Sequence, residues 1–325
     1  MKNDKEAGLK PAVRQKEDNR KMDTHMTVDK EPEICASQAH SVRTGTASGD
    51  NKLIVYLGTT PNIGTTLLSY GSAVCAARCA HLSVGYLCLN LKSSKLHRYI
   101  GMNEVSSSLD HLRADLKSQS LTRQRLLRHC VQAPGVPGLS VLFGSSLREQ
   151  AEFYQPEDIE HLLIAARSAF DLCIVEVNAY WDNAATVVAL LEADARIIVT
   201  TPDLTHFQED LQRWMLTMAP MFGLHPETFH LVVNQVEKAS AAGGIRMKDI
   251  QRETGLEIIS QVPRREETVE RLNQGKLMEL LAGDHPFYQA IARIPRKFLE
   301  QWNMEATDLS RKKRWLGRWI PRAIS

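Results

Sequence analysis

From Leu53 onward the chain alternates short, wholly apolar runs with longer amphipathic ones. The apolar runs are LIVYLG from Leu53, SVGYLCLNL from Ser83, LSVLFG around Val141, LCIVEVN from Leu172, ARIIVTTP from Ala195, FHLVVNQV through Asn234 and LEIISQVP from Leu256. Apolar residues on both sides of a strand mark it as covered on both faces, the habit of parallel sheets. Between these runs lie TTLLSYGSAVCAARCA, EDIEHLLIAARSAF, ATVVALLEA, DLTHFQEDLQRWMLTM and MKDIQRETG. Their length and periodicity predict helices, with Asp203 as an N-terminal cap and Gly255 as a stop. Alternation of this kind over about 210 residues predicts a doubly wound, mostly parallel α/β sheet.

Three regions follow from the same pattern. Residues 1–50 are polar, charged with both signs and without apolar periodicity. Such a segment buries too little to offset its ordering entropy and reads as a disordered arm. Residues 51–283 form the α/β domain. Residues 284–325 form a helical segment with a basic, tryptophan-containing tail. The stretch Glu104–Cys130 reads as helical and polar, with no obvious place in the fold.

Composition narrows the function classes. The 325 residues carry a formal net charge of +2 and are 43% hydrophobic. Near-neutral charge argues against a protein that coats nucleic acid over its whole surface. No run approaches the roughly 18 apolar residues of a membrane span. The first 50 residues have no apolar core of a signal peptide, so the expectation is a cytoplasmic protein. Six cysteines fit that compartment. Cys75, Cys79, His81 and Cys88 match none of the usual zinc spacings, and the thiols read as small core residues.

The chemistry centres on the loop after the first strand, GTTPNIGTT, Gly58–Thr66. A strand, a Gly-containing loop and a helix start are the parts that hold phosphate through backbone N–H groups. The full motif needs a lysine before the Ser/Thr pair. Thr65 stands there, and the loop contains no Lys or Arg. A bare structural turn is the competing reading of this segment alone.

On these residues the chain resembles the MinD/ParA family of deviant P-loop ATPases over most of 53–282. That family's loop has two lysines, and here Thr60 and Thr65 stand at their places. Pro61 and Asn62 replace two glycines, while Gly64 and Thr66 are kept. Asn90 and Lys92 stand where acidic residues are expected, and DLCIVE ends in Glu176 where the family has Asp. LVVNQV matches the strand whose Asn reads adenine, here Asn234, and QVPRRE matches the later Pro loop, here Pro263. NQGKLMELL resembles the family's closing helix. Among the branches, the pilus-assembly and localisation proteins called CpaE or TadZ fit best, although about 50 unstructured-looking residues stand where that branch often carries a receiver-like domain.

The resemblance implies a nucleotide site of Gly58, Thr60, Asn62, Gly64, Thr65, Thr66, Asn234 and Pro263, with ATP held weakly and magnesium at Thr66. Losing one preorganised donor typically costs about 10²–10³ in rate, and here several charges are gone. The expectation is a non-hydrolysing or very weak ATPase that serves as a localisation or assembly scaffold for a pilus or secretion system. No catalytic residue is assigned firmly. Lys92 reads either as a solvated loop residue or as a replacement phosphate cation. Glu176 reads either as a water-orienting group or as a satisfied buried carboxylate. An ATP-dependent positioning switch and a ParA-like DNA-partitioning protein are the alternatives. A homodimer is a further expectation from the resemblance.

The tail RKKRWLGRWIPRAIS from Arg311 has six basic residues and no acidic ones. In a helix Trp315, Leu316, Trp319 and Ile320 share one face, flanked by Lys313, Arg314 and Arg318. Such a segment suits an anionic membrane, which would place the protein at the inner face of the plasma membrane. A solvated tail, or one docked on its own domain, is the bland alternative.

Overall fold

The computed structural model describes residues 51–80, 82–92, 94–237, 246–283 and 285–304. The polar arm and the basic tail, with Lys313, Arg314, Trp315, Leu316, Arg318, Trp319 and Ile320, lie outside the described residues.

The seven apolar runs form strands β1 (Lys52–Gly58), β2 (Val84–Leu89), β4 (Leu139–Leu142), β5 (Leu172–Val177), β6 (Ala195–Thr200), β7 (Phe229–Val236) and β8 (Glu257–Pro263). A two-residue strand, β3 (Val131–Gln132), joins them at one edge. The eight-stranded sheet has the order β3-β4-β2-β5-β1-β6-β7-β8. Every pairing is parallel except β3 with β4. The chain therefore winds outward from β1 in both directions, and the loops beside β1 gather at the carboxyl ends of the strands.

Strand alternation explains why the runs are apolar throughout. Leu53, Val55 and Leu57 enter one core, while Ile54 and Tyr56 enter the other. Helices α2 (Pro156–Ala169) and α3 (Ala184–Glu192) cover the first face. Helix α1 (Thr65–Cys79) covers the second, together with α5 (Pro286–Gln301). Helix α4 (Met247–Thr254) ends at Gly255, which is left-handed at φ 66°. The α1–α5 approach is close. A Cβ on Gly71 would lie 2.9 Å from Ile291 Cγ2. Helix α5 thus shares one core with the residues before 283.

The stretch Glu104–Cys130 is less polar than its composition implies. It forms helical turns at Leu109–Leu112, Arg113–Lys117 and Arg123–His129. Leu109, Leu112 and Leu116 fall at helical spacing and are buried in the first core with Leu121 and Leu126. Asp203 does cap its helix, accepting from Thr205 N at 2.9 Å. That helix is widened into π-type turns at His206–Leu211 and Trp214–Met218. The NQGKLMELL segment is broken rather than one helix. Thr268–Asn273 and Leu277–Leu280 flank Gly275, at φ 71°, where a Cβ would sit 2.6 Å from Gly101 Cα. Among the described residues no helix is long and apolar enough to cross a membrane.

Candidate phosphate site

The loop between β1 and α1 keeps its shape by substitution. Thr60-Pro61-Asn62-Ile63 turns with Asn62 at φ 66°. Proline presets the first central residue of such a turn, and asparagine tolerates the left-handed second one. Asn62 thereby does what glycine does in the resembling loop. Gly64, at φ 95°, is the N-cap of α1.

The loop is also pinned from beneath. The Asn234 Nδ2 donates to the Ile63 carbonyl at 2.7 Å. A Cβ on Gly64 would fall 2.4 Å from that same nitrogen, and one on Gly58 would fall 2.6 Å from Thr65 Oγ1. The asparagine assigned to adenine from sequence is thus engaged with the loop backbone. It still borders the groove that contains Pro263.

Helix α1 starts with no side-chain cap and no acidic residue in its first turn. Its first N–H groups carry the positive end of the helix dipole and lack intrahelical acceptors. They open on a cleft of ≈ 310 Å³ lined by Thr60, Asn62, Gly64, Thr65 and Thr66, by Asn90, Lys95 and Tyr99 after β2, and by Glu176 and Asn178 at the end of β5. Asn178 is 4% exposed, and its Nδ2 has no hydrogen-bond partner. A buried amide N–H without a partner is uncommon and marks a place where an acceptor would be favoured.

Glu176 is the one carboxylate among the described residues lining the cleft. It is 2% exposed. Thr66 Oγ1 donates to its Oε1 at 2.5 Å, and the Tyr86 hydroxyl donates to its Oε2 at 2.6 Å. Burial pushes the carboxyl above its ordinary value, and hydrogen bonds from Thr66, Tyr86, Asn90 and Cys88 pull it back only in part. The Tyr86 phenol is pushed well up, first by burial and then by Glu176. The Thr66 hydroxyl, assigned to magnesium from sequence, donates its proton to this carboxylate.

Lys92 does not line the cleft. It pairs with Asp182 at 2.5 Å, joining the loops after β2 and β5. The cation that lines the cleft is Lys95, three residues on, which the sequence reading passed over. It lies in the same KSSK stretch, and nothing in the spacing separates the two lysines. The adjoining groove, ≈ 890 Å³, is bordered by Asn234, Gln235, Pro263, Arg264, Arg265 and Phe287. Its arginines are already paired, Arg264 with Glu237 at 2.8 Å and Arg265 with Glu267 at 2.5 Å.

The residues present fit a phosphate group: open helix amides, one unpartnered amide donor and one lysine. The Thr66 hydroxyl donates its proton to Glu176 and keeps its oxygen lone pairs, so it would be the residue to hold a magnesium ion.

No family model matches the chain, and no curated protein matches it by sequence. Solved structures do match. A ParA family ATPase from Chlorobium tepidum TLS is 19% identical, with 76% of this chain and 99% of that one covered and a TM-score of 0.65. The MinC:MinD cell division complex of Aquifex aeolicus matches at 17% identity, 77% and 96% coverage and a TM-score of 0.61. The septum site-determining protein MinD of Pyrococcus horikoshii OT3, complexed with Mg-ADP, matches at 14% identity, 76% and 95% coverage and a TM-score of 0.59. At these identities the likeness establishes architecture, and residues 51–304 are built on the α/β fold shared by the MinD and ParA ATPases.

Proposed function

We propose that this chain is a scaffold on the MinD/ParA fold that holds a nucleotide phosphate and does not turn it over efficiently. One observation carries the reading. The helix start is open to phosphate, yet neither loop position 60 nor 65 bears a charge, and the nearest carboxylate is buried against Thr66. Phosphoryl transfer depends on compensating the developing negative charge. A cleft with one exposed lysine and an occupied carboxylate is poorly equipped for that.

The resemblance to the CpaE/TadZ branch supports the proposed role: localisation or assembly at a pilus or secretion machine, as a dimer, at the inner face of the plasma membrane. The MinD of the Aquifex complex is bound to MinC. By analogy the partner here is a protein docked on the α/β surface. A second reading, an ATP-dependent positioning switch, is favoured by Lys95, which supplies a cation to the cleft.

Titration of the full chain with a fluorescent ATP analogue, with and without magnesium, tests the site. Binding that is little changed by magnesium supports the scaffold reading. Tight, magnesium-dependent binding favours the switch. No binding at millimolar nucleotide removes the ligand and leaves a scaffold with a vestigial loop.

A further inference from the structure

Far from the cleft, at the other end of α1, two thiols lie together. Cys75 and Cys79 are one helical turn apart, with their sulfurs 3.6 Å from each other. Arg296 of α5 donates from Nη2 to Cys79 Sγ at 3.6 Å. Cys75 Sγ also lies 3.8 Å from the Ala292 carbonyl, a further acceptor for its S–H. Arg78 is turned away to the Leu281 carbonyl at 3.0 Å but adds positive charge nearby. Cys79 is 8% exposed, whereas Cys75 is fully buried.

We propose that Cys79 is a nucleophilic thiolate site for hydroperoxides and other soft electrophiles, with Cys75 as its hydrogen-bond donor and resolving thiol. A thiolate needs a donor and a cation, and both are present in contact. The opposing influence is the C-terminal end of α1, which carries roughly half a negative charge. Arg296 brings a whole positive charge to the sulfur, so the anion is favoured. The hydrogen bond with Cys75, and then the Arg296 guanidinium, hold the Cys79 thiol below its ordinary value despite burial. Cys75, as the donor, is pushed well up.

The chemistry balances with a hydroperoxide as oxidant. The Cys79 thiolate attacks the terminal peroxide oxygen, the O–O bond breaks and the alkoxide or hydroxide leaves with the electron pair, giving a sulfenic acid. The Cys75 sulfur then attacks Cys79 Sγ, the S–O bond breaks, water leaves and a disulfide forms. Cys79 is the last residue of α1, and Ala80 is already extended, so the closing movement falls on a helix end.

Accessibility alone predicts a different order. Cys130 is more exposed than Cys79, but burial pushes its thiol up to about 12. The test uses the full chain with Cys35→Ser, since Cys35 lies outside the described residues. Limiting iodoacetamide at pH 7, read by peptide mass spectrometry, is expected to label Cys79 about tenfold faster than Cys130. Arg296→Met slows labelling of Cys79 about fivefold or more, and Arg296→Lys restores most of the rate. With hydrogen peroxide, Cys75→Ser traps a sulfenic acid at Cys79 that a cyclic 1,3-dione captures, and the parent peptide loses two hydrogens. Labelling of Cys88 and Cys173, both buried, reports any variant that unfolds, and the Cys79-to-Cys130 ratio of the parent chain then decides. Cys130 reacting first or at the same rate overturns the proposal, as does an unchanged Cys79 rate in folded Arg296→Met.

Discussion

Thr66 Oγ1 sits 2.5 Å from Glu176 Oε1, so the hydroxyl that begins α1 is tied to the carboxylate that ends β5. This bond forms part of the wall of the cleft. The burial of that carboxylate governs how the protein responds to pH. Glu176 is raised in the fold by burial. A raised carboxyl contributes fully below its unfolded value, near 4.5. That contribution is lost as pH climbs through the folded value, because the fold must then ionise a buried acid. Glu176→Gln, which mimics the protonated form, is expected to remove this slope. Urea midpoints between about pH 5 and 8 check it, and equal slopes in both proteins would show that Glu176 is not the group responsible.

The loop geometry makes an opposite pair of predictions for neighbouring positions. Gly64→Ala must adopt φ 95° and press a Cβ to 2.4 Å from Asn234 Nδ2. It is expected to cost about 2 kcal/mol or more. Asn62→Gly keeps the φ of 66° at no steric cost and is expected to stay within about 1 kcal/mol of the parent. Thermal denaturation of the two variants compares them directly.

The two lysines of the loop after β2 separate by position. Lys95 lines the cleft, while Lys92 is held by Asp182. Lys95→Ala is expected to weaken binding of a fluorescent ATP analogue about tenfold, the scale of one charge-assisted contact. Lys92→Ala breaks a partly exposed ion pair and is expected to cost at most about 1 kcal/mol of stability, with little effect on binding. A larger binding loss for Lys92→Ala would mean that this side chain leaves Asp182 for the phosphate.

The basic tail gives a prediction independent of the cleft. Removing residues from Arg311 deletes six basic residues and two tryptophans. Co-sedimentation with anionic liposomes is expected to fall to background and, in the full chain, to weaken with added salt. Equal sedimentation of full-length and truncated chains removes the membrane from the account.

Much of this molecule was legible in its sequence. The seven principal strands were, because a strand covered on both faces must be apolar at every position, as Leu53 to Leu57 are. Helix α1 was legible for its small and apolar residues, although it shows little of the one-sided periodicity of a surface helix. The loop's place between a strand and a helix, and its lack of lysine, were legible. What escaped was tertiary. Leu109, Leu112 and Leu116 carry a helical pattern hidden among polar residues. The two-residue β3 has too short a pattern to read. The Tyr86–Glu176 bond joins residues 90 positions apart. Lys95 rather than Lys92 reaches the cleft because Lys92 finds Asp182, a partner known only once β2 and β5 are neighbours.

Phosphate release from saturating Mg-ATP, followed in the full chain beside the Thr60→Lys/Thr65→Lys variant, tests the central claim most directly. The account predicts little or no release above buffer from the parent chain, and clear release only when the loop lysines are installed together with Glu176→Asp, which shortens the carboxylate. Steady release from the unaltered chain, lost on Lys95→Ala, would contradict it and make this protein a working ATPase with a relocated lysine.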